Sequence, residues 1–206
     1  TKNCLGSHAG VIWKHILNEY EKSKIEAEKI LFEGDCMQTV ILRPTTIYGA
    51  NMPNESLKSM FAMIRKKRFF FVGSKKSISC YISVDNVVSA LLRVIFHKKM
   101  ILKGPKKCEA YNLSCDINYT DFVNLASRLL KVNPPKVRVP LSAILVVLNI
   151  NRVIFGFNLP LTVSRAKSLG RLSGFSSQKF ESYFSWSCPV PHIETIQSCI
   201  ASWFKS

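Results

Sequence analysis

Apolar and polar positions alternate along the chain with two periods, which divide it into short strands and amphipathic helices. Helical spacing runs from about His15 to Glu33, with Ile25, Ala27, Ile30, Leu31 and Phe32 on the packing side and Glu26 and Lys29 toward solvent. Gly34 follows, a residue suited to the left-handed position that closes a helix. Thr39-Val40-Ile41-Leu42 is short, β-branched and bounded by polar residues, which predicts a buried strand of a parallel sheet. From Glu55 to Lys67, Leu57, Met60, Phe61 and Ile64 fall on one helix face. Phe69-Phe70-Phe71-Val72 then reads as a strand closed by Gly73.

Asp85 is placed to cap a helix from Asn86 to His97. Tyr111 to Leu113 reads as a further strand. Thr120 is placed to cap a helix from Asp121 to Lys131, whose Phe122, Leu125, Ala126 and Leu129 share a face, and Pro134-Pro135 stops it. Beyond Val139 the pattern gives helices and connectors, with Ile193, Ile196, Ile200 and Trp203 as the stripe of the last one. The apolar run from Val139 to Ile150 ends at Asn151-Arg152, short of the roughly 20 residues that span a bilayer, and predicts a buried or interfacial helix. Strands early and helices late make an α/β chain.

Composition narrows the class. The 206 residues are 47% hydrophobic and 20% charged, enough for one globular domain or for part of a two-lobed enzyme. The chain opens on Thr1 with nothing that reads as a signal peptide, so it reads as a portion cut from a longer chain. Its seven cysteines include no C-x-x-C pair and no His spacing suited to zinc, which predicts free thiols in a reducing cytoplasm and no metal site. The net charge of +16 is dispersed in short groups such as Arg65-Lys66-Lys67-Arg68 and Lys75-Lys76, with no nucleic-acid fold signature beside them. Solvated cations near helix ends account for most of it. The alternative reading of the charge is attraction of a diphosphate substrate or a weak association with a membrane surface.

Tyr20 and Lys24 are the candidate chemistry. A spacing of four on a helix places their Cβ atoms about 5–6 Å apart, and an ammonium there stabilises the tyrosinate. By itself the tetrad fits a solvated helix face equally well. Its context adds meaning: a Lys/Glu-rich helix, a β-branched strand, then Arg43-Pro44-Thr45-Thr46-Ile47-Tyr48-Gly49.

This order resembles the second half of the extended short-chain dehydrogenase/reductases, the NAD-dependent epimerases and dehydratases. That family carries Y-x-x-x-K on a helix and R-P-x-x-(V/I)-Y-G after the next strand. Ser79-Cys80-Tyr81-Ile82-Ser83-Val84-Asp85-Asn86-Val87 is similar to its strand-to-helix segment, and Glu109-Ala110-Tyr111-Asn112-Leu113-Ser114 to its Y-N-(V/I)-(G/S) strand. Leu161 to Phe204 resembles its carboxy-terminal helices. The resemblance implies a partial Rossmann-like, doubly wound parallel sheet with a mostly helical C-terminal cap. Residues 1–115 would belong to the cofactor-binding domain, interleaved with substrate-binding segments, and 116–206 to the substrate-binding cap.

The same resemblance implies roles. Tyr20 would be the general acid/base and Lys24 would hold the cofactor's ribose hydroxyls, with NAD or NADP as cofactor. Ser7, thirteen residues before Tyr20, is the candidate third hydroxyl, because Asn3-Cys4 occupies the family's usual hydroxyl pair. Pro44 and Thr45 would pass beside the nicotinamide, Thr46 and Ser56 would touch substrate, and the backbone from Phe70 to Val72 would border the nucleotide base. Ser79 stands where an arginine for the diphosphate is common. No G-x-x-G-x-x-G occurs among the nine glycines, so these residues alone should bind NAD poorly and be inactive.

The implied function is an NAD(P)-dependent nucleotide-sugar epimerase or dehydratase, with a nucleotide-diphosphate sugar as its partner and room for a homodimer. The alternatives are a 3β-hydroxysteroid dehydrogenase or dihydroflavonol reductase-like enzyme, and a truncated non-catalytic remnant. A basic membrane- or nucleic-acid-binding module is a third class, resting on charge alone.

Overall fold

The computed structural model describes residues 19–34, 38–52, 55–97, 108–150 and 174–204. They fall into two units, one within Thr1–Ile41 and Lys99–Ala110, the other within Leu42–Lys98 and Tyr111–Ser206.

The first unit holds helix α1 (Glu19–Glu33) and the first halves of strands β1 (Thr39–Pro44) and β5 (Cys108–Leu113), which pair as a two-stranded sheet. Residues 15–18 of the expected helix lie outside the described residues. Glu19 and Glu21 sit in the first turn of α1, where the helix dipole favours carboxylates. The helix buries none of its side chains: Ile25, Ile30, Leu31 and Phe32 are 36–65% exposed. Successive residues turn by 100°, which spreads Ile25, Ala27, Ile30, Leu31 and Phe32 around the helix instead of gathering them on one packing side. Gly34 donates its N–H to the Ile30 carbonyl at 2.9 Å without adopting a positive φ; among the described glycines that conformation falls to Gly73, at φ 78°, and Lys67, Lys131 and Ser185 adopt it as well. β1 runs two residues longer than expected and is half-buried, with Pro44 exposed.

The second unit is built on a sheet of β2 (Thr46–Tyr48), β4 (Ile78–Ser83) and β6 (Cys115–Asn118), in the order β2-β4-β6. β2 and β4 run parallel with Thr46 opposite Tyr81; β4 and β6 are antiparallel with Tyr81 opposite Cys115. A second parallel pair joins β3 (Phe71–Val72) to β7 (Arg138–Val139). β3 starts two residues later than the predicted Phe69–Val72 strand, because its parallel partner β7 begins at Arg138, opposite Phe71.

Helix α2 (Glu55–Arg65) buries the four residues its spacing selects, Leu57, Met60, Phe61 and Ile64. Two helices follow strands with no connector, α3 (Val84–Ile95) after β4 and α4 (Tyr119–Leu129) after β6. Their caps are therefore the last strand residues. The Ser83 hydroxyl accepts the Asn86 N–H at 3.0 Å, and the Asn118 side-chain carbonyl accepts the Thr120 N–H at 2.9 Å. The expected caps Asp85 and Thr120 lie two residues further on, inside the first turn, where Asp85 keeps only its favourable interaction with the dipole.

Helices α5 (Leu141–Ile150), α6 (Gln178–Phe184) and α7 (His192–Trp203) make the later part of the chain helical. No helix of the described residues is long and apolar enough to cross a membrane. The core is aromatic. Tyr48, Phe61, Phe71, Tyr119 and Phe122 are at most 3% exposed and pack with Ile196 and Cys199 of α7. Tyr81 and Phe122 lie 4.8 Å apart between ring centroids, within the range of favourable ring pairs. A second aromatic group gathers Tyr111, Phe180, Phe184 and Trp186.

Cys115 and Cys188 are joined by a disulfide. This replaces the expectation of free thiols throughout. They stand 73 residues apart, so only the fold brings them together. Among the described residues, Cys80, Cys108 and Cys199 take no part in a disulfide.

Candidate functional site

α1 presents Tyr20 and Lys24 on one face, with the Lys24 ammonium 5.4 Å from the centre of the Tyr20 ring. Tyr20 is 68% exposed. Ser23 donates its hydroxyl to the Tyr20 backbone carbonyl at 2.8 Å, and Lys22 pairs with Glu19, so neither neighbour competes for the phenol. The face can offer a proton-exchanging hydroxyl beside a cation. Ser7, the expected third hydroxyl, lies outside the described residues.

A polar cluster forms where β1 and β5 end. Thr45 follows Pro44, and its backbone N–H donates to the Leu113 carbonyl at 2.9 Å. Its hydroxyl donates to the Ser114 hydroxyl at 3.2 Å, and the Ser114 hydroxyl donates in turn to the Asp116 carboxylate. The other Asp116 oxygen accepts the Phe175 N–H at 2.8 Å. Ser177 closes the arrangement, accepting the Ser114 N–H at 2.7 Å and donating to the Ser114 carbonyl at 2.9 Å. The proton direction runs from Thr45 to the carboxylate, which leaves the Thr45 oxygen free to accept a further hydrogen bond.

Thr46 opens β2 and is exposed, as is Ser56 in the first turn of α2. Phe70 is 38% exposed, whereas the Val72 side chain is buried. Phe71 and Gly73 donate their N–H groups to Val137 and Val139, both at 2.9 Å. Alternation along the strand turns the Phe70 and Val72 backbone groups to the other edge of β3, where no described strand pairs. Ser79 is buried in β4.

Beneath the cluster, the His192 ring lies between Tyr48 and Cys115. Its Nε2 meets the Cys115 carbonyl at 2.6 Å and its Nδ1 meets the Tyr48 hydroxyl at 2.7 Å. A carbonyl only accepts, so Nε2 carries the proton and Nδ1 accepts from Tyr48. Burial pushes the His192 pKa down, against the smaller opposing pulls of the Cys115 carbonyl and the Asp116 charge. Burial also raises Tyr48 and Tyr119, and it pushes Tyr81 up to about 12. Those three phenols are structural. Among the described residues no three His, Cys, Asp or Glu side chains converge on a metal site.

Sequence reasoning missed Asp116, Ser177 and His192. Ser114 had a signal, since it ends the Y-N-L-S segment. Ser177 and His192 had none, because their partners lie 63 and 77 residues away.

A model of the 3-beta hydroxysteroid dehydrogenase/isomerase family matches residues 9–137. No curated protein matches the chain. Solved structures do. The chain is similar to gox2253 at 19% identity and a TM-score of 0.63, covering 89% of this chain and 54% of that one. It is similar to the UDP-glucuronic acid 4-epimerase from Bacillus cereus in complex with NAD, at 12% identity and a TM-score of 0.61, covering 92% and 53%. It is similar also to RMD from Pseudomonas aeruginosa complexed with NADPH, at 16% identity and a TM-score of 0.54, covering 92% and 56%. At these identities the likeness is one of fold, and the chain spans about half the length of each.

Proposed function

The chain belongs to the 3-beta hydroxysteroid dehydrogenase/isomerase family, and from that premise we propose that it supplies the catalytic tyrosine and the substrate-facing part of an NAD(P)-dependent enzyme acting on a secondary alcohol. The family lies within the extended short-chain dehydrogenase/reductases that the motifs around Tyr20, Tyr48 and Asp85 resemble. The observation that carries the reading is the exposed Tyr20 phenol with the Lys24 ammonium beside it, inside the segment the family model matches.

The residues present fit part of the cofactor. Tyr20 and Lys24 share a face suited to a nicotinamide ribose. A glycine-rich cradle for the pyrophosphate is not among these residues, so the 206 residues by themselves are proposed to be inactive. When bound, the nicotinamide accepts or returns the hydride. Tyr20 takes the proton of the substrate hydroxyl at its Oη, and the Lys24 charge favours the tyrosinate that results. Ser7 would steady the substrate oxygen, while Pro44 and Thr45 would border the nicotinamide.

Two substrate classes have support. Family membership favours an apolar ring alcohol of the 3β-hydroxysteroid type. The solved folds include an epimerase named for UDP-glucuronic acid, and the net charge of +16 suits a diphosphate; these favour a nucleotide sugar touched by Thr46 and Ser56, with its base along the Phe70–Val72 edge. Residues 116–206 act in either case as the substrate cap.

Reduced-nicotinamide formation by the complete protein, offered 3β-hydroxysteroids and UDP-sugars with NAD and with NADP, tests the reading. Turnover of one class is expected. Failure with both classes and both cofactors, by a protein that binds the cofactor, would overturn it.

A further inference from the structure

We propose that Cys115 and Cys188 form a redox-sensitive fastening that holds the carboxy-terminal segment against the polar end of the sheet. Cys115 opens β6, and Cys188 lies in the turn between α6 and α7. Their Cα atoms are 6.4 Å apart, within the range a disulfide spans. Both side chains are half-buried, which leaves them within reach of small thiols and disulfides.

What surrounds the bond suits reversible use. The Asn86 side chain donates to the Val190 carbonyl at 2.9 Å and accepts the Val190 N–H at 2.8 Å. His192 holds the Cys115 carbonyl, and Ser177 holds both backbone groups of Ser114. These bonds anchor the segment independently on both sides of Cys188, so cleavage of the disulfide loosens it without releasing it. A cross-link closing 73 residues restricts the opened forms of the segment most of all.

The bond also adjoins the Thr45 cluster. The Cys188 sulfur lies 3.8 Å from the Ser114 carbonyl, and the Asn86 amide 3.5 Å from the Cys115 sulfur. Ser114 is the residue that accepts the Thr45 hydroxyl. Oxidation therefore stiffens the support of Thr45, a consequence for catalysis that rests on the function proposed above. The fastening does not rest on it. In the redox step the two thiols give two electrons and two protons to a low-molecular-weight disulfide, which leaves as two thiols while one S–S bond forms in the protein.

The test uses the 206-residue chain equilibrated at graded ratios of reduced to oxidised glutathione, then acid-quenched, alkylated and mapped by mass spectrometry. Cys115 and Cys188 should lose alkylation together in one two-electron transition, while Cys80, Cys108 and Cys199 remain alkylated. Amide exchange over 174–192 should quicken on reduction, on the order of tenfold, with α2 and α4 unchanged. The redox dependence should vanish in Cys188→Ser; if that variant fails to fold, the titration of the unaltered chain decides alone. Alkylation of both cysteines at every ratio, pairing of either with another cysteine, or exchange indifferent to the ratio overturns the proposal. None of these readouts needs a cofactor, so they stand apart from any failure of the hydride chemistry.

Discussion

Tyrosine chemistry in this chain is sorted by burial. Tyr48, Tyr81 and Tyr119 are kept protonated by the core around them, while Tyr20 is 68% exposed beside an ammonium. Position rather than residue type makes Tyr20 the candidate acid/base. Lys24→Ala in the complete enzyme should raise the KM for the dinucleotide and lower kcat together; unchanged cofactor affinity by titration would remove the role given to Lys24. His192 gives a pH dependence whose sign follows from its lowered pKa. The unfolded chain binds a proton near pH 6.5 and the folded chain only below that, so the stabilisation is complete above 6.5 and is lost as pH falls toward the folded value. The midpoint of thermal unfolding should therefore fall between pH 7.5 and pH 5.5 more steeply for the wild type than for His192→Gln. Tyr20 and Lys24 were legible because a helix converts a spacing of four into adjacency. The Thr45–Ser114 and Tyr48–His192 contacts were not, since they cross 69 and 144 residues and no local rule spans them.

Elements obeyed their periodicity where they had a core to face. α2 buries the four residues that the spacing selects; of the four selected in α4, Phe122 and Ala126 are buried and Leu125 and Leu129 half-buried, while Val123 is buried without having been selected. Caps misled, because β4 runs into α3 and β6 into α4 with no linking residue, so the capping side chain belongs to the strand. The two candidate caps of α3 separate cleanly by mutation. Ser83→Ala should cost about 0.5–2 kcal/mol of unfolding free energy, and Asp85→Ala only a few tenths, by denaturant titration. Phe122, fully buried against Tyr48, Phe61, Tyr81 and His192, joins the sheet to α4 and α7. Phe122→Ala should destabilise the second unit by about 3–5 kcal/mol; a loss under 1 kcal/mol would mean that these rings do not form its core.

On the scale of the whole molecule, the fold is shared with solved chains about twice as long, among them an epimerase in complex with NAD. The α/β class and the helical later part could be read from element order, because strand and helix periods differ and the strands come early. The disulfide could not, as its cysteines carry no spacing rule. α3 leaves an apolar face open, where Val88, Leu91, Leu92, Ile95 and Phe96 are 46–75% exposed. Patterning marks such faces as apolar without saying what covers them. Exchange of the substrate proton by Tyr20 is what the proposed function requires. Its most direct test is the turnover of the complete protein and of its Tyr20→Phe variant, followed by reduced-nicotinamide absorbance on the substrate class that the wild type accepts. A loss of about 10²–10⁴-fold in kcat, with the thermal unfolding midpoint unchanged, is expected. A variant that turns over as fast as the wild type would contradict it.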